Sequence, residues 1–212
     1  MIITIFGATG MVGKQLVRQA LAEGYTVRAF GRNVESLIDK DLNNDQLIAI
    51  KGFVFDAPDV LHAIEGAGAV LSVLGGGFDG TDKTRSLGIQ KIVEQMKVAK
   101  ISRIIALGGL GILNAPKKGL LIDDPNYPEI YKAVGLEHLS AFKTLDGSNL
   151  QWSFICAPNI LDQELTKKYI TAPDFPPVPN FYEIASGDIA DCMLEELKNN
   201  SYVHHRVGIS RS

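Results

Sequence analysis

Apolar residues recur along the chain at two spacings, one typical of buried strands and the other of amphipathic helices. Residues 2–6 form a short apolar run that stops at Gly7, and from Val12 onward apolar residues recur at helical spacing. Gly24 ends this helix, and residues 25–30 are rich in the β-branched and aromatic side chains that favour strands. The first thirty residues therefore predict one strand–helix–strand unit.

The same alternation continues through the rest of the chain. The pattern predicts further strands at residues 47–51, 69–74, 103–107, 152–157 and near 203–207. It predicts helices near residues 34–38, 57–65, 82–99, 129–145 and 188–197. Because strands that alternate with helices pair in parallel, we predict an α/β fold, a single Rossmann-type doubly wound parallel sheet with helices on both faces, over residues 1–212.

Two irregular stretches interrupt this alternation, at about 109–128 and 158–182. The first contains the run GGLGILNAPKKG and the second holds five prolines between Pro158 and Phe181. Long irregular loops in a compact domain usually carry function. We therefore expect both to form the walls of a substrate cleft.

Composition narrows the range of partners. The 212 residues carry a net charge of −3, which offers no basic stripe to a nucleic acid. The N-terminus lacks the basic region of a signal peptide, and Cys156 and Cys192 stand singly, which suits a reducing compartment. We therefore expect a cytoplasmic monomer or homodimer that binds a small molecule, without nucleic-acid or membrane partners.

The motif that carries chemistry is the glycine loop between the first strand and the first helix. Free N–H groups and the positive dipole end of a helix can bind a diphosphate at this position. Gly7 permits the tight turn, Gly10 lets the backbone approach the phosphates, and Gly13 lets the helix pack closely. The predicted dinucleotide-binding loop consists of Gly7, Thr9, Gly10, Met11, Val12 and Gly13.

The end of the second strand selects between the two nicotinamide cofactors. A carboxylate there would hold the ribose 2′-hydroxyl of NAD, but the chain reads AFGRN. Arg32 offers a planar fork that can pair with a 2′-phosphate, whereas the alternative is a solvated surface side chain. We predict that NADP(H) is preferred and that NAD(H) remains possible through Glu35.

Two further positions are expected at the cofactor. Asp56 follows residues 53–55, which we expect to belong to a strand, and would lie near the adenine amino group or cap the helix that begins at Ala57. In the run LGGGFDG, Gly75 follows Leu74 and would let the dinucleotide pass over the sheet edge without a side chain in the way.

In their order these features resemble the atypical short-chain dehydrogenase/reductase superfamily, in the small NAD(P)-binding branch with NmrA-like proteins and the flavin reductase/biliverdin-IXβ reductase. The resemblance covers nearly the whole chain. It rests on GATGMVG, Arg32, Asp56, the turn at 74–75, RIIALGG and LQWSFICAPNIL. It implies that NADPH lies across the carboxyl edge of a doubly wound sheet. It also places Leu74, Gly75 and Pro158 among the cofactor-binding residues.

The chain departs from the superfamily's dehydrogenases at their catalytic positions. Those enzymes use a Ser after the fifth strand and a Tyr-x-x-x-Lys pair on the next helix. Here the Ser position reads Gly108-Gly109, and the Tyr and Lys positions fall on Val134 and His138. This argues against alcohol dehydrogenation and resembles the flavin/biliverdin-type reductases, which also carry a His at that position. Gly109 and Gly187 replace polar residues of that reductase pocket, which argues against its tetrapyrrole activity.

Tyr131 and His138 are the candidate catalytic residues. Seven residues apart on the predicted helix, they would lie on nearly the same face, and His138 could donate a proton to a reduced acceptor. The alternative is that both pack against the sheet with their polar tips hydrogen-bonded. His204 and His205 lack partners at metal-ligand spacing, so we expect surface residues and no metal site.

Three functions are consistent with these residues. The first is an NADPH-dependent reductase that transfers hydride to a flavin, quinone or similar conjugated acceptor, which needs orientation more than a dedicated acid. The second is a non-catalytic NADP(H)-binding regulator of the NmrA type. A sugar-nucleotide epimerase or dehydratase is disfavoured, because the chain is short and lacks the Tyr-Lys pair.

Overall fold

A central eight-stranded sheet organises the computed structural model, which describes residues 1–37 and 44–212. The strands are β1 (Ile2–Phe6), β2 (Thr26–Gly31), β3 (Leu47–Lys51), β4 (Ala69–Ser72), β5 (Arg103–Gly109), β6 (Gln151–Ala157), β7 (Asn159–Leu161), β8 (Tyr169–Pro173), β9 (Glu183–Ala185) and β10 (His205–Arg211). The helices are α1 (Met11–Ala22), α2 (Ala57–Ile64), α3 (Thr84–Ala99), α4 (Lys132–Asp146) and α5 (Ser186–Asn199).

The strand order is β3-β2-β1-β4-β5-β6-β10-β8, and all neighbouring pairs are parallel except β10 and β8. The chain winds outward from β1 to β3 and then returns to β4 on the other side of β1. Such a reversal opens a crevice at the carboxyl ends of the strands, where doubly wound sheets bind ligands. The predicted Rossmann-type fold is confirmed.

Apolar layers cover both faces of the sheet. Successive strand residues point to opposite faces, so Ile5 packs with α1 and α5 while Phe6 packs with α2, α3 and α4. Both cysteines are buried in these layers. Burial raises the pKa of both thiols, that of Cys192 to about 12, so neither is a reactive thiolate at neutral pH.

The stretch at 158–182 is more regular than predicted. It contains β7, which pairs in parallel with β9 in a small separate sheet, and β8, which forms the antiparallel edge of the main sheet. Each of these strands has only three to five residues, and β8 ends at Pro173. Such short segments gain their strand conformation from partners distant in sequence rather than from a local pattern.

Several element boundaries also differ from the prediction. The last strand begins at His205 rather than near 203, because Asn200 and His204 have positive φ angles of 52° and 64° in the preceding turn. A 3₁₀ turn at Glu129–Tyr131 precedes α4, so Tyr131 lies ahead of the α-helix. The helix predicted near 34–38 is a 3₁₀ turn at Val34–Leu37, and residue 38 lies outside the described residues.

Candidate functional site

A cleft of about 1490 Å³ runs along the carboxyl ends of the parallel strands. Its walls come from the turns after β1, β2, β4, β5 and β6 and from the first turns of α3 and α4. Most of the predicted site residues border it: Gly7, Thr9, Gly10, Met11, Val12, Arg32, Leu74, Gly75, Tyr131, His138 and Pro158. Gly13 and Asp56 do not border the cleft.

Each of the three glycines in the loop has a different structural role. Gly7 has a φ of +82°, and a Cβ there would lie 2.5 Å from the carbonyl oxygen of Val73. A Cβ on Gly13 would overlap the carbonyl oxygen of Gly7, so Gly13 allows α1 to begin directly against this turn. Gly10 caps α1, and its nearest obstacle to a Cβ is the Gly7 carbonyl oxygen at 3.3 Å. Gly10 alone of the three keeps space free in the cleft.

The outer end of the cleft holds the residues predicted to select the cofactor. Arg32 is exposed and borders the cleft beside the aromatic rings of Phe53 and Phe55, which meet edge to face at 5.1 Å. Glu35 points elsewhere, since its carboxylate lies 3.5 Å from Lys51 Nζ and it does not border the cleft. At this end Arg32 therefore borders the cleft and Glu35 does not.

Asp56 serves as a helix cap. Its Oδ1 accepts a hydrogen bond of 3.0 Å from the backbone N–H of Asp59 at the start of α2. The third strand ends at Lys51, and residues 53–55 form a turn rather than the strand expected there. The turn directs the backbone so that Phe53 and Phe55 reach the cleft and the Asp56 side chain does not.

The floor of the cleft after β4 carries no side chain. A Cβ at Gly75 would meet no atom within 4 Å, so this position faces open space in the cleft. The following loop is held by Asp82, whose carboxylate accepts hydrogen bonds from the backbone N–H groups of Gly77 (3.0 Å) and Thr84 (2.8 Å). The hydrogen bond from the Thr84 side chain, together with these two backbone bonds, holds the pKa of Asp82 below its ordinary value. A flat molecule can therefore pass over Gly75 without steric conflict.

At the inner end, the ring of His138 fills the space that a side chain at position 109 would need. A Cβ at Gly109 would lie 2.8 Å from Cδ2 and 3.2 Å from Nε2 of His138. A serine at the end of β5 could therefore not coexist with this imidazole position.

The surroundings of His138 keep its imidazole neutral. Burial, together with the positive charge of Arg85, lowers the pKa of His138 to about 3, although Glu137 acts in the opposite direction. Its Nδ1 is buried and has no hydrogen-bond partner among the described residues. The imidazolium expected as a proton donor is therefore not the form present at neutral pH. His138 can still position a ligand through a neutral ring.

Aromatic and aliphatic side chains form the rim of the inner end. Tyr131 borders the cleft with 45% of its surface exposed, and Ile130 beside it is 73% exposed. Tyr182 reaches the same rim from the loop before β9. Exposed apolar groups around a cavity indicate a site for a largely apolar ligand.

Sequence reasoning missed two residues of this cleft. Tyr127 packs its hydroxyl against Gly111, and burial raises the pKa of its phenol, with a smaller contribution from Tyr131. Arg85, in the first turn of α3, is buried yet borders the cleft. Arg85 follows the glycine run LGGGFDG closely, and this proximity is the signal that could have found it.

His204 is exposed and His205 is partly exposed, as predicted for surface residues, and both are hydrogen-bonded. His205 Nδ1 lies 2.6 Å from the carboxylate of Asp174, and His204 Nε2 lies 3.0 Å from the carbonyl oxygen of Leu150. Within residues 1–37 and 44–212, no cluster of three or more His, Cys, Asp or Glu side chains could hold a metal ion. Within the same residues, no helix is long and apolar enough to cross a membrane.

The reversed strand order and the glycine loop together define a dinucleotide-binding Rossmann protein. The model of a family of NAD(P)H-binding proteins matches residues 7–200, and the chain belongs to this family. Its fold is that of NAD(P)H-binding oxidoreductases. The cytoplasmic location stays a prediction.

Three solved structures illustrate the similarity. A protein of Burkholderia pseudomallei, described as a candidate exported protein, shares 25% identity with a TM-score of 0.83, over 99% of both chains. A candidate NADH-flavin reductase of Streptococcus pneumoniae shares 22% identity with a TM-score of 0.83, over 100% of both chains. A short-chain dehydrogenase/reductase of Veillonella parvula, in complex with NADP, shares 15% identity with a TM-score of 0.78, over 99% of this chain and 94% of its own.

Substitutions at two loop glycines distinguish an effect on cofactor binding from an effect on folding. We expect Gly10→Val to remain folded but to lose dinucleotide binding, because its side chain would enter the diphosphate space. Wild type should gain about 2.7 kcal/mol when NADPH is 100-fold above its Kd, and Gly10→Val should gain nothing in thermal unfolding. The matched Gly13→Ala should lose stability even without ligand. An undiminished ligand effect in Gly10→Val would place the cofactor elsewhere.

The neutral imidazole also predicts a dependence of stability on pH. The pKa of His138 falls from 6.5 to about 3 on folding, so only the unfolded chain binds this proton between those values. Stability should therefore fall as the pH drops from 6.5, by at most about 1.4 kcal/mol per pH unit. In urea unfolding at several pH values, His138→Gln should lose less stability than wild type. Parallel curves for both proteins would show that His138 becomes charged in the folded chain.

Proposed function

We propose that this protein is an NADPH-dependent reductase that transfers hydride to a flavin, quinone or similar conjugated acceptor. The observation that carries the proposal is one continuous cleft with a glycine loop at its outer end and an apolar, aromatic rim at its inner end. Conjugated acceptors need correct placement more than a dedicated acid. The described groups at the inner end fit that requirement.

The fit of a dinucleotide rests on space and donors in this chain. Gly10 and Gly75 leave open room along the floor, and the amino end of α1 presents N–H groups toward it. When bound, the cofactor supplies the hydride from its nicotinamide ring. The chain positions the two reactants, with Gly109 and His138 closing the inner floor and Tyr131 and Ile130 limiting access of water from the rim.

Two features support NADPH over NADH. Arg32 borders the outer end where a 2′-phosphate would lie, and its guanidinium can pair with phosphate through two hydrogen bonds. The carboxylate of Glu35, which could hold a ribose 2′-hydroxyl of NAD, is directed toward Lys51. NAD(H) remains a weaker alternative cofactor.

The missing acid also supports a second candidate, a non-catalytic NADP(H)-binding regulator of the NmrA type. Neither Gly109 nor Val134 can transfer a proton, and His138 is neutral. Such a protein would use the same loop and bind NADPH equally well. Oxidation of NADPH in the presence of acceptors therefore distinguishes the two functions.

Loss of the Arg32 charge should affect the two cofactors differently. A charge-assisted pair with the 2′-phosphate contributes on the order of 1.5–3 kcal/mol, so Arg32→Ala should weaken NADPH binding about ten-fold or more. NADH binding should change little. Calorimetry with both cofactors checks this, with Glu35→Gln as the control that leaves NADPH binding intact. Equal losses for both cofactors would contradict the role of Arg32.

The reductase should oxidise NADPH when free flavin or a quinone is added, measured by loss of NADPH absorbance. Because the imidazole is neutral, His138→Ala should cause a several-fold loss that appears in the apparent KM. A loss of about 10²-fold in kcat would instead identify a general acid. Tight NADPH binding without oxidation by any flavin, quinone or tetrapyrrole would favour the regulator.

A further inference from the structure

A buried cation lies in the wall of the cleft. The Arg85 side chain is in the first turn of α3 and the residue is only 8% exposed, yet it borders the cavity. Its Nη1 donates to the carbonyl oxygen of Gly77 at 2.9 Å and its Nη2 to that of Gly76 at 3.0 Å. Its guanidinium carbon also lies 5.6 Å from the centre of the exposed Phe78 ring.

No carboxylate among the described residues compensates this charge directly. Among the described residues, no carboxylate oxygen lies within 4.0 Å of a side-chain nitrogen of Arg85. Both nearby carboxylates are bonded elsewhere. Asp82 accepts from two backbone N–H groups, and Glu137 accepts from Lys83 Nζ at 2.7 Å and Ser86 Oγ at 2.5 Å.

A buried cation without a direct ion pair is costly, although the nearby charges of Asp82 and Glu137 and the bonds to backbone carbonyls reduce the cost. Arginine carries five N–H donors, and carbonyl groups accept from two of its nitrogen atoms here. The guanidinium remains charged at any physiological pH. The wall therefore holds a positive charge with hydrogen-bonding capacity left for a ligand in the cleft.

Arg85 lies close to the inner end of the cleft. Its neighbour in α3, Ser86, donates a hydrogen bond of 2.5 Å to Glu137, the residue before His138 in α4, and both Arg85 and His138 border the cleft. The His138 ring is neutral, so it offers neither a positive charge nor an imidazolium proton to an anion beside it. A reaction that leaves negative charge on the acceptor therefore finds one cation among the described groups of this inner wall.

We propose that Arg85 is a catalytic residue that binds the negative charge which hydride transfer places on the acceptor. The inference rests on the proposed reductase function and adds the group that makes an acid unnecessary. Its ligand is an oxygen or ring atom of a conjugated acceptor, such as a quinone oxygen, that becomes anionic on reduction.

Hydride transfer from NADPH to the acceptor breaks one bond and forms one bond. The C–H bond of the dihydronicotinamide breaks with both electrons, and a new bond forms between that hydrogen and the acceptor. NADPH is oxidised to NADP⁺, and the acceptor gains two electrons and one negative charge. Arg85 donates hydrogen bonds to this anion, which later takes one proton from solvent. Interactions that form as charge develops accelerate the transfer itself.

Binding of an anionic and a neutral quinone to the NADP⁺ complex, which has no hydride to give, tests the charge recognition without turnover. In the NADP⁺ complex, 2-hydroxy-1,4-naphthoquinone, an anion at neutral pH, is compared by calorimetry with its neutral methyl ether. Wild type should prefer the anion about ten-fold or more, as expected for a charge-assisted hydrogen bond. Arg85→Gln should lose this preference, and Arg85→Lys should retain part of it. NADPH affinity should stay within about two-fold in both variants.

Rates of a single turnover with a neutral quinone provide the second measurement. Arg85→Gln should lower the rate by about 10²-fold or more, as for removal of one oxyanion donor, with kcat and kcat/KM falling together. Arg28→Gln is the matched control. Arg28 also donates to backbone carbonyls, those of Ala63 and Glu65, but does not border the cleft.

The outcomes separate this inference from the proposed function. If wild type oxidises NADPH but Arg85→Gln keeps the anion preference and the rate, Arg85 only holds the loop at Gly76 and the inference is wrong. Loss of NADPH affinity in Arg85→Gln would likewise overturn it, by placing the guanidinium on the cofactor. If wild type oxidises no NADPH with any acceptor, the reductase itself fails, and this inference fails with it.

Discussion

The close contact between Gly13 and the turn at Gly7 is the constraint on which the rest of the site depends. Only without a Cβ at Gly13 can α1 begin directly above the end of β1. This contact places the free N–H groups and the positive end of the helix dipole at the reversal of the strand order. The outer end of the cleft follows from that one backbone approach, and Gly10 and Gly75 keep its floor open.

The inner end of the cleft depends on a second close contact, between Gly109 and His138. Gly109 provides the room that the His138 ring occupies, and the same enclosure keeps that ring uncharged. A site of this kind lacks the Ser, Tyr and Lys of a dehydrogenase, so in the proposed reductase the chain would act by placing the reactants. In that proposal the buried charge of Arg85 would supply the electrostatic stabilisation that an acid would otherwise provide.

The sequence predicts the fold and the glycine loop well because their signals are local. Apolar periodicity identifies the strands and helices, and Gly10 and Gly13 meet residues of the same turn, close by in the chain. The strands β7 to β9 and the cleft position of Arg85 depend on partners far along the chain, which local patterns do not encode. Asp56 shows the same limit, because its cap was predictable but its direction relative to the cleft was not.

The central claim is that the nicotinamide ring is held in one orientation at the inner end of this cleft and gives up hydride there. Single turnovers with NADPH deuterated at C4, in either of the two stereochemical positions, test it most directly. We expect one label to slow reduction of a quinone and to be absent from the NADP⁺ formed, while the other stays on NADP⁺. Equal isotope effects for both labels, or transfer without an isotope effect, would contradict an oriented hydride transfer in the cleft.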